Sequence, residues 1–439
     1  MLHSVFPRNF GVFWQIASPE WGLEPKPFQK GYFPARLGRV SQQADTEKKT
    51  PFLKLQLLSM AAGLSYMGSS LTTFAVILRD KDSVGPAGVS IILLAMLLPN
   101  VLMAPFSGQI ADRFASRTVV PTALLAMSLS SLSIALLPAE WWAPFALFLT
   151  ATFGALVGAS SSATVGSVSR PEDMTRVAGI QQTYISLGSL MGPAVGGILV
   201  GTTGYFWPFV IDSVSFVILA LVFLSLGLNR LPTEHLDEQK PRALDGFRFL
   251  RDEPVLRAIV LLLLVVIIAL GVISVGEVFL VVDELGASEI IYGFIGALFA
   301  GGSLLGALTL QVWKIPEDKQ PLGLVVSIGL MVVSLSVLSQ IQHWGYATVI
   351  YFLAGVGSAG VNVFAIGQVQ RRAKESIRGR IMAAVQGSVT AGNAVSLGLG
   401  GILIGIFGVR EVFLAGGLTA LLALVIFGPQ LVKAGRQKS

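Results

Sequence analysis

Twelve long apolar stretches follow one another along the chain of 439 residues, and short polar segments separate them. Each stretch is near the length of about 20 residues with which an α-helix crosses about 30 Å of hydrocarbon. Inside a bilayer every backbone N–H and C=O group needs an internal partner, so we predict that each stretch is a membrane-spanning helix. The predicted spans are, in order, 53–78, 87–110, 118–137, 142–168, 177–200, 207–228, 257–282, 290–313, 321–341, 346–370, 381–405 and 411–432.

The composition agrees with a chain that folds in lipid. Only 13% of the residues are charged and the mean hydropathy is +0.72, whereas soluble domains carry about 25% charged residues. The chain has no cysteine, which excludes disulfides and thiolate metal sites. Its three histidines, His3, His235 and His343, lie far apart in sequence. We therefore expect neither a metal site nor a cofactor.

The basic residues lie mostly in the short polar segments. If the N-terminus is in the cytoplasm, 28 of the 31 Lys and Arg residues face the cytoplasm, and only Arg79, Lys81 and Arg410 face outside. Cytoplasmic loops are enriched in Lys and Arg. This bias predicts that both termini are in the cytoplasm, and we expect a multi-pass protein of the plasma (inner) membrane. Because orientation explains the pI near 9.5, we expect no nucleic-acid partner.

The longest polar segment between spans divides the chain into two halves. The predicted units are an N-terminal cytoplasmic tail (1–52), an N-terminal six-helix bundle (53–228), a cytoplasmic linker (229–256), a C-terminal six-helix bundle (257–432) and a C-terminal cytoplasmic tail (433–439). In the linker, Leu244, Phe247 and Leu250 share one face of a short amphipathic helix that is predicted to lie along the membrane. The N-terminal tail is expected to be flexible, or alternatively to lie on the lipid surface.

An internal repeat supports this division. Residues 176–204 align without gaps on residues 380–408, and nine positions are identical at one offset of 204. Glycine-rich helices raise the number of chance matches, but the pairs Arg176/Arg380 and Gln182/Gln386 do not come from that bias. The repeat relates spans 5 and 11, which are six spans apart, as in transporters built from parallel repeats. We predict an all-α integral membrane fold of 12 transmembrane helices in two pseudo-symmetric six-helix bundles.

The segment GQIADRFASR joins spans 2 and 3. It resembles the loop G-x-x-x-D-R-x-x-R between helices 2 and 3 of the major facilitator superfamily, and the chain is identified as a member of that superfamily. The resemblance implies a gating network of Gly108, Asp112, Arg113, Arg117 and Arg380, in which Asp112 accepts hydrogen bonds from the N-terminal end of span 11. The alternative is that the arginines only set the membrane topology.

Span 5 carries Gly188, Gly192, Pro193, Gly196 and Gly197 at the spacing G-x-x-x-G-P-x-x-G-G. This pattern resembles the antiporter motif of drug and metabolite exporters, which favours efflux over uptake. Small residues at every fourth position let helix backbones approach closely, and proline kinks a helix. Gly302 and Gly306 of span 8 are the expected packing partners between the two halves. The alternative is general packing of membrane helices.

Ionisable residues inside spans are functional candidates by default. Asp212 in span 6 and Glu277 in span 7 are candidates for proton coupling; the alternative is that each pairs with a polar neighbour. The chain departs from its apparent relatives at Ser69, where many carry an acid, and this departure weighs against proton coupling and against a cationic substrate. Among uncharged polar residues we expect four to line a central cavity, namely Gln182, Tyr184, Asn362 and Asn393.

The resemblance covers residues 53–432 and is strongest to the group of enterobactin exporters and macrolide efflux proteins. It implies secondary active efflux of a hydrophobic or amphiphilic small molecule, such as a drug-like compound, a siderophore or a metabolite, by proton-coupled antiport. Uptake or lipid flipping on the same fold is the alternative. The chain lacks the phosphate loop, the zinc-protease motif and the nucleophile elbow, so we do not expect an enzyme. The expected partners are the substrate and membrane lipids, and the expected state is a monomer.

Overall fold

The structure is a computed structural model that describes residues 50–137, 141–231, 248–251, 253–313, 315–372 and 378–436. Within these ranges the chain forms helices and no strand, and eleven helical segments are long and apolar enough to cross a membrane. Most of the predicted N-terminal tail, most of the linker with Leu244 and Phe247, and residues 437–439 lie outside the described residues. Leu250 is described and is buried.

The first helical segment, Phe52–Arg113, contains two of the predicted spans. Its 62 residues would extend about 90 Å as one straight helix, about three times the thickness of the hydrocarbon core. Gly85 interrupts it with a left-handed backbone (φ 63°, ψ −172°). Thr73 donates a hydrogen bond to the sulfur of Met96 at 3.5 Å, which places residues on either side of Gly85 next to each other. The two parts, 52–84 and 86–113, are therefore antiparallel helices α1 and α2.

The remaining spans follow the predicted order. They are α3 (Ser116–Leu136), α4 (Trp142–Val168), α5 (Met174–Thr203), α6 (Phe206–Ser225), α7 (Leu256–Glu284), α8 (Glu289–Val312), α9 (Gln320–Leu338), α10 (Trp344–Arg372), α11 (Arg378–Phe407) and α12 (Val409–Arg436). The helix α7 ends in a π-helical turn, Phe279–Glu284. Helix α12 continues four residues past the predicted end of span 12, so residues 433–436 are helical.

Tight glycine turns join helices on one side of the molecule. Gly85, Gly204, Gly286 and Gly408 all have positive φ and connect α1 to α2, α5 to α6, α7 to α8 and α11 to α12. We call this side the Gly85 face and the opposite side, which carries the loop between α2 and α3, the Asp112 face. Gly204 (φ 80°) and Gly408 (φ 90°) are equivalent positions of the repeat, so the sequence identity there preserves a backbone conformation that glycine favours.

The helices pack as two bundles, α1–α6 and α7–α12, and the most extensive contacts between the bundles are made by two helix pairs. Helix α5 packs against α8, and α2 packs against α11. Phe209, Phe216 and Phe223 of α6 are fully buried in the N-terminal bundle. The helix surfaces that face away from both bundles expose large apolar residues such as Leu221 and Leu422, as expected where lipid rather than water surrounds the protein.

We predict that Gly204→Ala lowers the thermal stability of the purified protein. Gly204 is held at φ 80° and ψ −173°, a backbone region that is essentially confined to glycine and costs a residue with a Cβ about 1–3 kcal/mol. Gly405→Ala is the matched control, since Gly405 is inside α11 and no atom lies within 4 Å of an added Cβ. Melting in detergent should occur at a lower temperature for Gly204→Ala and at an unchanged or higher temperature for Gly405→Ala. Equal melting temperatures would contradict the role assigned to the turn.

Candidate functional site

The glycines of the span-5 motif lie on two faces of α5. Gly188, Gly192 and Gly196 pack against α1 in the same bundle. A methyl group at Gly188 would lie 2.5 Å from the backbone oxygen of Gly63, and one at Gly196 would lie 3.1 Å from the ring of Phe74. Because small residues let two helix backbones approach closely, these three glycines hold α5 tightly against α1 within the N-terminal bundle.

The other face of α5 packs against α8 of the C-terminal bundle. A methyl group at Gly197 would lie 2.5 Å from the backbone oxygen of Glu289 and 3.1 Å from the α-carbon of Gly293. A methyl group at Gly296 would lie 3.1 Å from Cβ of Pro193. The two bundles therefore approach at backbone distance, and no larger side chain fits between Gly197 and Gly293.

The packing partners predicted for this motif on α8 were wrong. Gly302 and Gly306 pack on α10, against the backbones of Phe352 and Val356 respectively. Gly293, nearer the Gly85 face, contacts α5 instead. Small residues occur on both faces of α8, and their spacing alone does not tell which face meets which neighbour.

The second contact between the bundles joins α2 to α11. The backbone N–H of Gly401 donates a hydrogen bond of 2.8 Å to the hydroxyl of Ser90, and a methyl group at Gly401 would collide with the backbone oxygen of Pro86. Gly401 is equivalent to Gly197 in the repeat, at the offset of 204. The bundles thus touch at equivalent positions of the two repeats, both toward the Gly85 face.

An ion pair and an aromatic stack lie between the bundles on the same face. The ammonium of Lys81 is 2.5 Å from the carboxylate of Asp283, and the Lys81 side chain is only 7% exposed. The rings of Phe74 on α1 and Tyr292 on α8 stack with their centroids 5.0 Å apart. These contacts and the two glycine contacts close the molecule at the Gly85 face.

Toward the Asp112 face the helices separate around a cavity. Its volume is about 540 Å³, within the range of about 300–1,000 Å³ that is typical of ligand pockets. On α10 its lining runs from Ser358 to Val369 and on α11 from Met382 to Asn393, which are the halves of these helices nearer the Asp112 face. Leu97 of α2 completes the wall from the other bundle.

Two of the four predicted lining residues, Asn362 and Asn393, line this cavity. The other two lie on α5 and outside its lining. Gln182 is exposed and its amide donates to Ser186 at 3.3 Å. Tyr184 is half-buried and its hydroxyl accepts a hydrogen bond from Gln56 at 3.5 Å.

The loop of the gating motif is tied to the end of α6. The guanidinium of Arg230 donates to the Asp112 carboxylate at 2.8 Å and to the backbone oxygen of Ala111 at 3.2 Å. The backbones of Ser116 and Arg230 are also joined at 3.1 Å. Arg230 is therefore a basic partner of Asp112 that the sequence analysis missed.

The other members of the predicted gating network are placed as follows. Arg113 and Arg117 are exposed at the Asp112 face, and the backbone N–H of Arg117 donates to Asn229 at 3.3 Å. Arg380 lies half-buried in the first turn of α11. An added methyl group at Gly108 would meet no atom within 4 Å among the described residues, so the α2 backbone there is open.

Asp212 is buried inside the N-terminal bundle, with 1% of its surface exposed. Its carboxylate accepts hydrogen bonds of 2.8 Å from Thr72 on α1 and from Ser131 on α3, and a longer one of 3.4 Å from Ser69. A buried carboxyl group is tolerated when several donors satisfy it. Asp212 therefore links three helices of one bundle.

Glu277 has different surroundings. It lies on α7, three residues beyond Ser274 of the cavity lining, and no hydrogen bond or ion pair joins it to any described residue. The Glu277 carboxylate interacts electrostatically with the hydroxyls of Tyr292 and Tyr351. Tyr351 is 3% exposed, and its hydroxyl has no partner among the described residues. Glu277 and the Tyr351 hydroxyl are thus two polar groups without a hydrogen-bonding partner among the described residues.

Sequence reasoning also missed Lys81, Gly293 and Gly401. Lys81 was counted only as a topology signal, and its partner is 202 residues away. Gly401 could have been found, because it repeats Gly197 of the recognised motif at the offset of 204. Gly293 belongs to no repeated or recognised pattern in the chain.

Comparisons with known proteins agree on one family. A sequence profile described as Major Facilitator Superfamily matches residues 58–314 and 278–438. An uncharacterized MFS-type transporter of Bacillus subtilis, YfiS, is 23% identical over 87% of this chain and 94% of its own. The enterobactin exporter EntS of Shigella flexneri is 26% identical over 74% of this chain and 77% of its own.

Solved structures with the same fold are also membrane transporters. A bacterial homolog of the human lysosomal transporter Spinster has a TM-score of 0.65 at 14% identity, covering 88% of this chain and 98% of that one. The nucleoside transporter NupG has a TM-score of 0.67 at 15% identity, covering 85% and 97%. At such identities the likeness shows the fold.

We predict that Gly197→Val opens the Gly85 face. A larger side chain would force α5 from α8; such overpacking costs about 1–3 kcal/mol, which is roughly a 5- to 150-fold shift in an opening equilibrium. The chain lacks cysteine, so Ser90→Cys in the α2–α11 contact gives a single site for labelling by a maleimide. Labelling should be faster with Gly197→Val than without it.

Gly179→Val is the control for this experiment, because an added Cβ at Gly179 on the same helix has no atom within 4 Å. It should leave the labelling rate of Ser90→Cys unchanged. If both valine variants change labelling equally, α5–α8 packing does not hold the closure.

Proposed function

The chain belongs to the Major Facilitator Superfamily and is a secondary transporter, and we propose that it exports a hydrophobic or amphiphilic small molecule by proton-coupled antiport. Export proceeds by alternating access, in which the two bundles rock about a central site. The observation that carries the proposal is the asymmetry between the faces. The bundles touch by backbone at Gly197 and Gly401 toward the Gly85 face, and a ligand-sized cavity lies on the other side of these contacts.

In this proposal the Asp112 face is cytoplasmic and the protein resides in the plasma (inner) membrane as a monomer. The support is the distribution of charge. Arg79, Lys81 and Arg410, which lie toward the Gly85 face, are each paired with a carboxylate, Asp80, Asp283 and Glu284 respectively. The other basic residues belong to segments assigned to the Asp112 face, as the preference of Lys and Arg for the cytoplasmic side requires.

Two observations support export. The motif of Gly188, Gly192, Pro193, Gly196 and Gly197 resembles that of exporters, and its Pro193–Gly197 part forms the contact with α8. The curated relatives include proteins described as enterobactin exporters. Uptake and lipid flipping are the alternatives, and both would use the same alternating access. Uptake differs from export in the direction of transport, and flipping differs in that the transported molecule is a lipid.

Glu277 is the better candidate for the coupling carboxylate. A group that exchanges protons during the cycle has to reach the pathway and to change its surroundings. Glu277 is half-buried, follows the cavity lining on α7 and has no hydrogen-bonding partner among the described residues. Asp212 has three hydroxyl donors inside one bundle, and this argues for a structural role.

The pair of Asp112 and Arg230 is the proposed cytoplasmic gate element. It fixes the loop between α2 and α3 to the end of α6, so that this edge of the N-terminal bundle moves as one piece. In the closed state of the Asp112 face, the same loop would approach the start of α11 near Arg380, as the resemblance implies.

We predict that Glu277→Gln uncouples transport from the proton gradient. Inside-out vesicles that contain the purified protein and have an acidic lumen should accumulate substrate, and the lumen should become more alkaline as substrate is added, because antiport moves protons out as substrate moves in. Substrate candidates come from metabolite profiles of a deletion strain, inside against outside the cell. Glu277→Gln should abolish both the accumulation against a gradient and the proton flux, since glutamine holds no exchangeable charge.

Asp212→Asn is the matched control. It also removes one carboxylate from the membrane interior but keeps an oxygen that accepts hydrogen bonds from Thr72 and Ser131. Accumulation should persist in this variant. Loss of coupling in Asp212→Asn with retention in Glu277→Gln would exchange the two roles, and accumulation only in right-side-out vesicles would make the protein an uptake carrier.

We predict that Asp112→Asn slows export without removing the protein from the membrane. The substitution keeps the size of the side chain and removes the charge that pairs with Arg230; half-exposed pairs of this kind contribute about 0–1 kcal/mol to stability, so folding should survive. The rate is measured in the same vesicles at equal protein content. Arg113→Gln, at an exposed neighbour, should change the rate less than Asp112→Asn, and a normal rate for Asp112→Asn would remove its gate role.

A further inference from the structure

The cavity belongs almost entirely to one bundle. Nineteen of its twenty lining residues come from α7, α9, α10 and α11, and Leu97 is the one contribution from the N-terminal bundle. A molecule bound there would be recognised by the C-terminal bundle, while the N-terminal bundle would close over it. The two bundles then have different tasks although their folds repeat.

Among the described residues, the lining contains no Asp, Glu, Lys, Arg or His. Its polar groups are three carboxamides and three hydroxyls, Ser274, Ser358, Asn362, Gln386, Thr390 and Asn393. On α11, Gln386, Thr390 and Asn393 follow each other at intervals of four and three residues, which puts them on one stripe of the helix. The rest of the wall is aliphatic, with two methionines, and methionine adapts to varied shapes.

The carboxamides keep free hydrogen-bonding capacity. The amide of Asn362 donates to the backbone oxygen of Ser358 at 3.0 Å, so the side-chain oxygen of Asn362 is still available as an acceptor. No hydrogen bond from the side chains of Gln386 and Asn393 to a described residue is found. Each carboxamide offers both donors and an acceptor, which suits amides, esters and hydroxyls in a ligand.

A charged group would find no counter-ion in this lining. Moving an ion from water into a low-dielectric site is strongly unfavourable unless a partner compensates it. The acidic residue Glu277 is on α7 beyond Ser274 and is not part of the lining. An uncharged ligand avoids this desolvation cost. If it is apolar on one side and carries hydrogen-bonding groups on the other, it also matches the aliphatic and polar parts of the wall.

We infer that the transported molecule is uncharged when bound, and that the C-terminal bundle selects it through the stripe of Gln386, Thr390 and Asn393 opposite Asn362. The inference rests on the proposed transport function and narrows its substrate to neutral amphiphiles that carry amide, ester or hydroxyl groups.

The test uses three probes with one apolar scaffold and three end groups, a neutral carboxamide, a carboxylate and a quaternary ammonium. Binding to the purified full chain in lipid nanodiscs is measured by calorimetry. The wild-type protein should bind the carboxamide most tightly. Tighter binding of either charged probe would overturn the inference, and so would failure of the neutral probe to bind.

The repeat supplies a matched pair of variants. Gln386→Glu places a carboxylate in the cavity, and Gln182→Glu places one at the equivalent position of the N-terminal bundle, outside the cavity lining. Gln386→Glu should tighten the ammonium probe about tenfold or more relative to the carboxamide, as a partly screened charge pair allows. Gln182→Glu should leave the preference of the wild-type protein unchanged, and an equal shift in both variants would contradict recognition by the C-terminal bundle.

Equilibrium binding needs neither a proton gradient nor a direction. Tight binding of the neutral probe without export would therefore support the inference about the ligand while the export proposal fails. Export of a permanently charged molecule would support the export proposal and contradict the inference about the ligand. The melting temperature of each variant shows whether it is folded, and the preference of the wild-type protein tests the inference even if a variant fails to fold.

Discussion

The closest approach of the two bundles is a pair of backbone contacts that only glycine permits. Gly197 meets Gly293, and Gly401 meets Pro86 and Ser90. The hydrogen bond from Gly401 to Ser90 and the van der Waals contacts form only when the helix backbones lie this close together. The closure of the Gly85 face therefore depends on the absence of side chains at these glycines. The cavity lies on the Asp112 side of these contacts, and α11 takes part in both the Gly401 contact and the cavity wall.

Polar groups inside the bundles fall into two kinds, and the difference separates structure from function. Asp212 is surrounded by hydroxyls that satisfy it, and removing it would leave donors unpaired in three helices. Glu277 and Tyr351 lack such partners among the described residues. An unsatisfied polar group in a membrane interior is expensive, and this is why Glu277 rather than Asp212 is the proposed coupling group.

The sequence was sufficient for the order and the helical type of the membrane-spanning segments, because length and apolarity decide whether a segment crosses a bilayer. It also gave the offset of 204, which the structure explains through the equivalent contacts of Gly197 and Gly401 and the equivalent turns of Gly204 and Gly408. It did not identify the partners of α8, because small residues occupy more than one of its faces. The pairs of Asp112 with Arg230 and of Lys81 with Asp283 join residues more than 100 positions apart, and no local pattern specifies such distances.

The glycine turns leave only one to four residues between the helices that they join. Each of the four helices at the bundle contacts, α2, α5, α8 and α11, is thereby tethered without slack to a neighbour. Two of these neighbours, α6 and α12, expose broad apolar surfaces to lipid, with residues such as Leu221 and Leu422. If α5 and α11 tilt during transport, α6 and α12 have to move with them and displace the surrounding acyl chains. Lateral pressure and bilayer thickness therefore enter the work of every cycle, and the turnover of the protein becomes a property of its membrane as well as of its sequence.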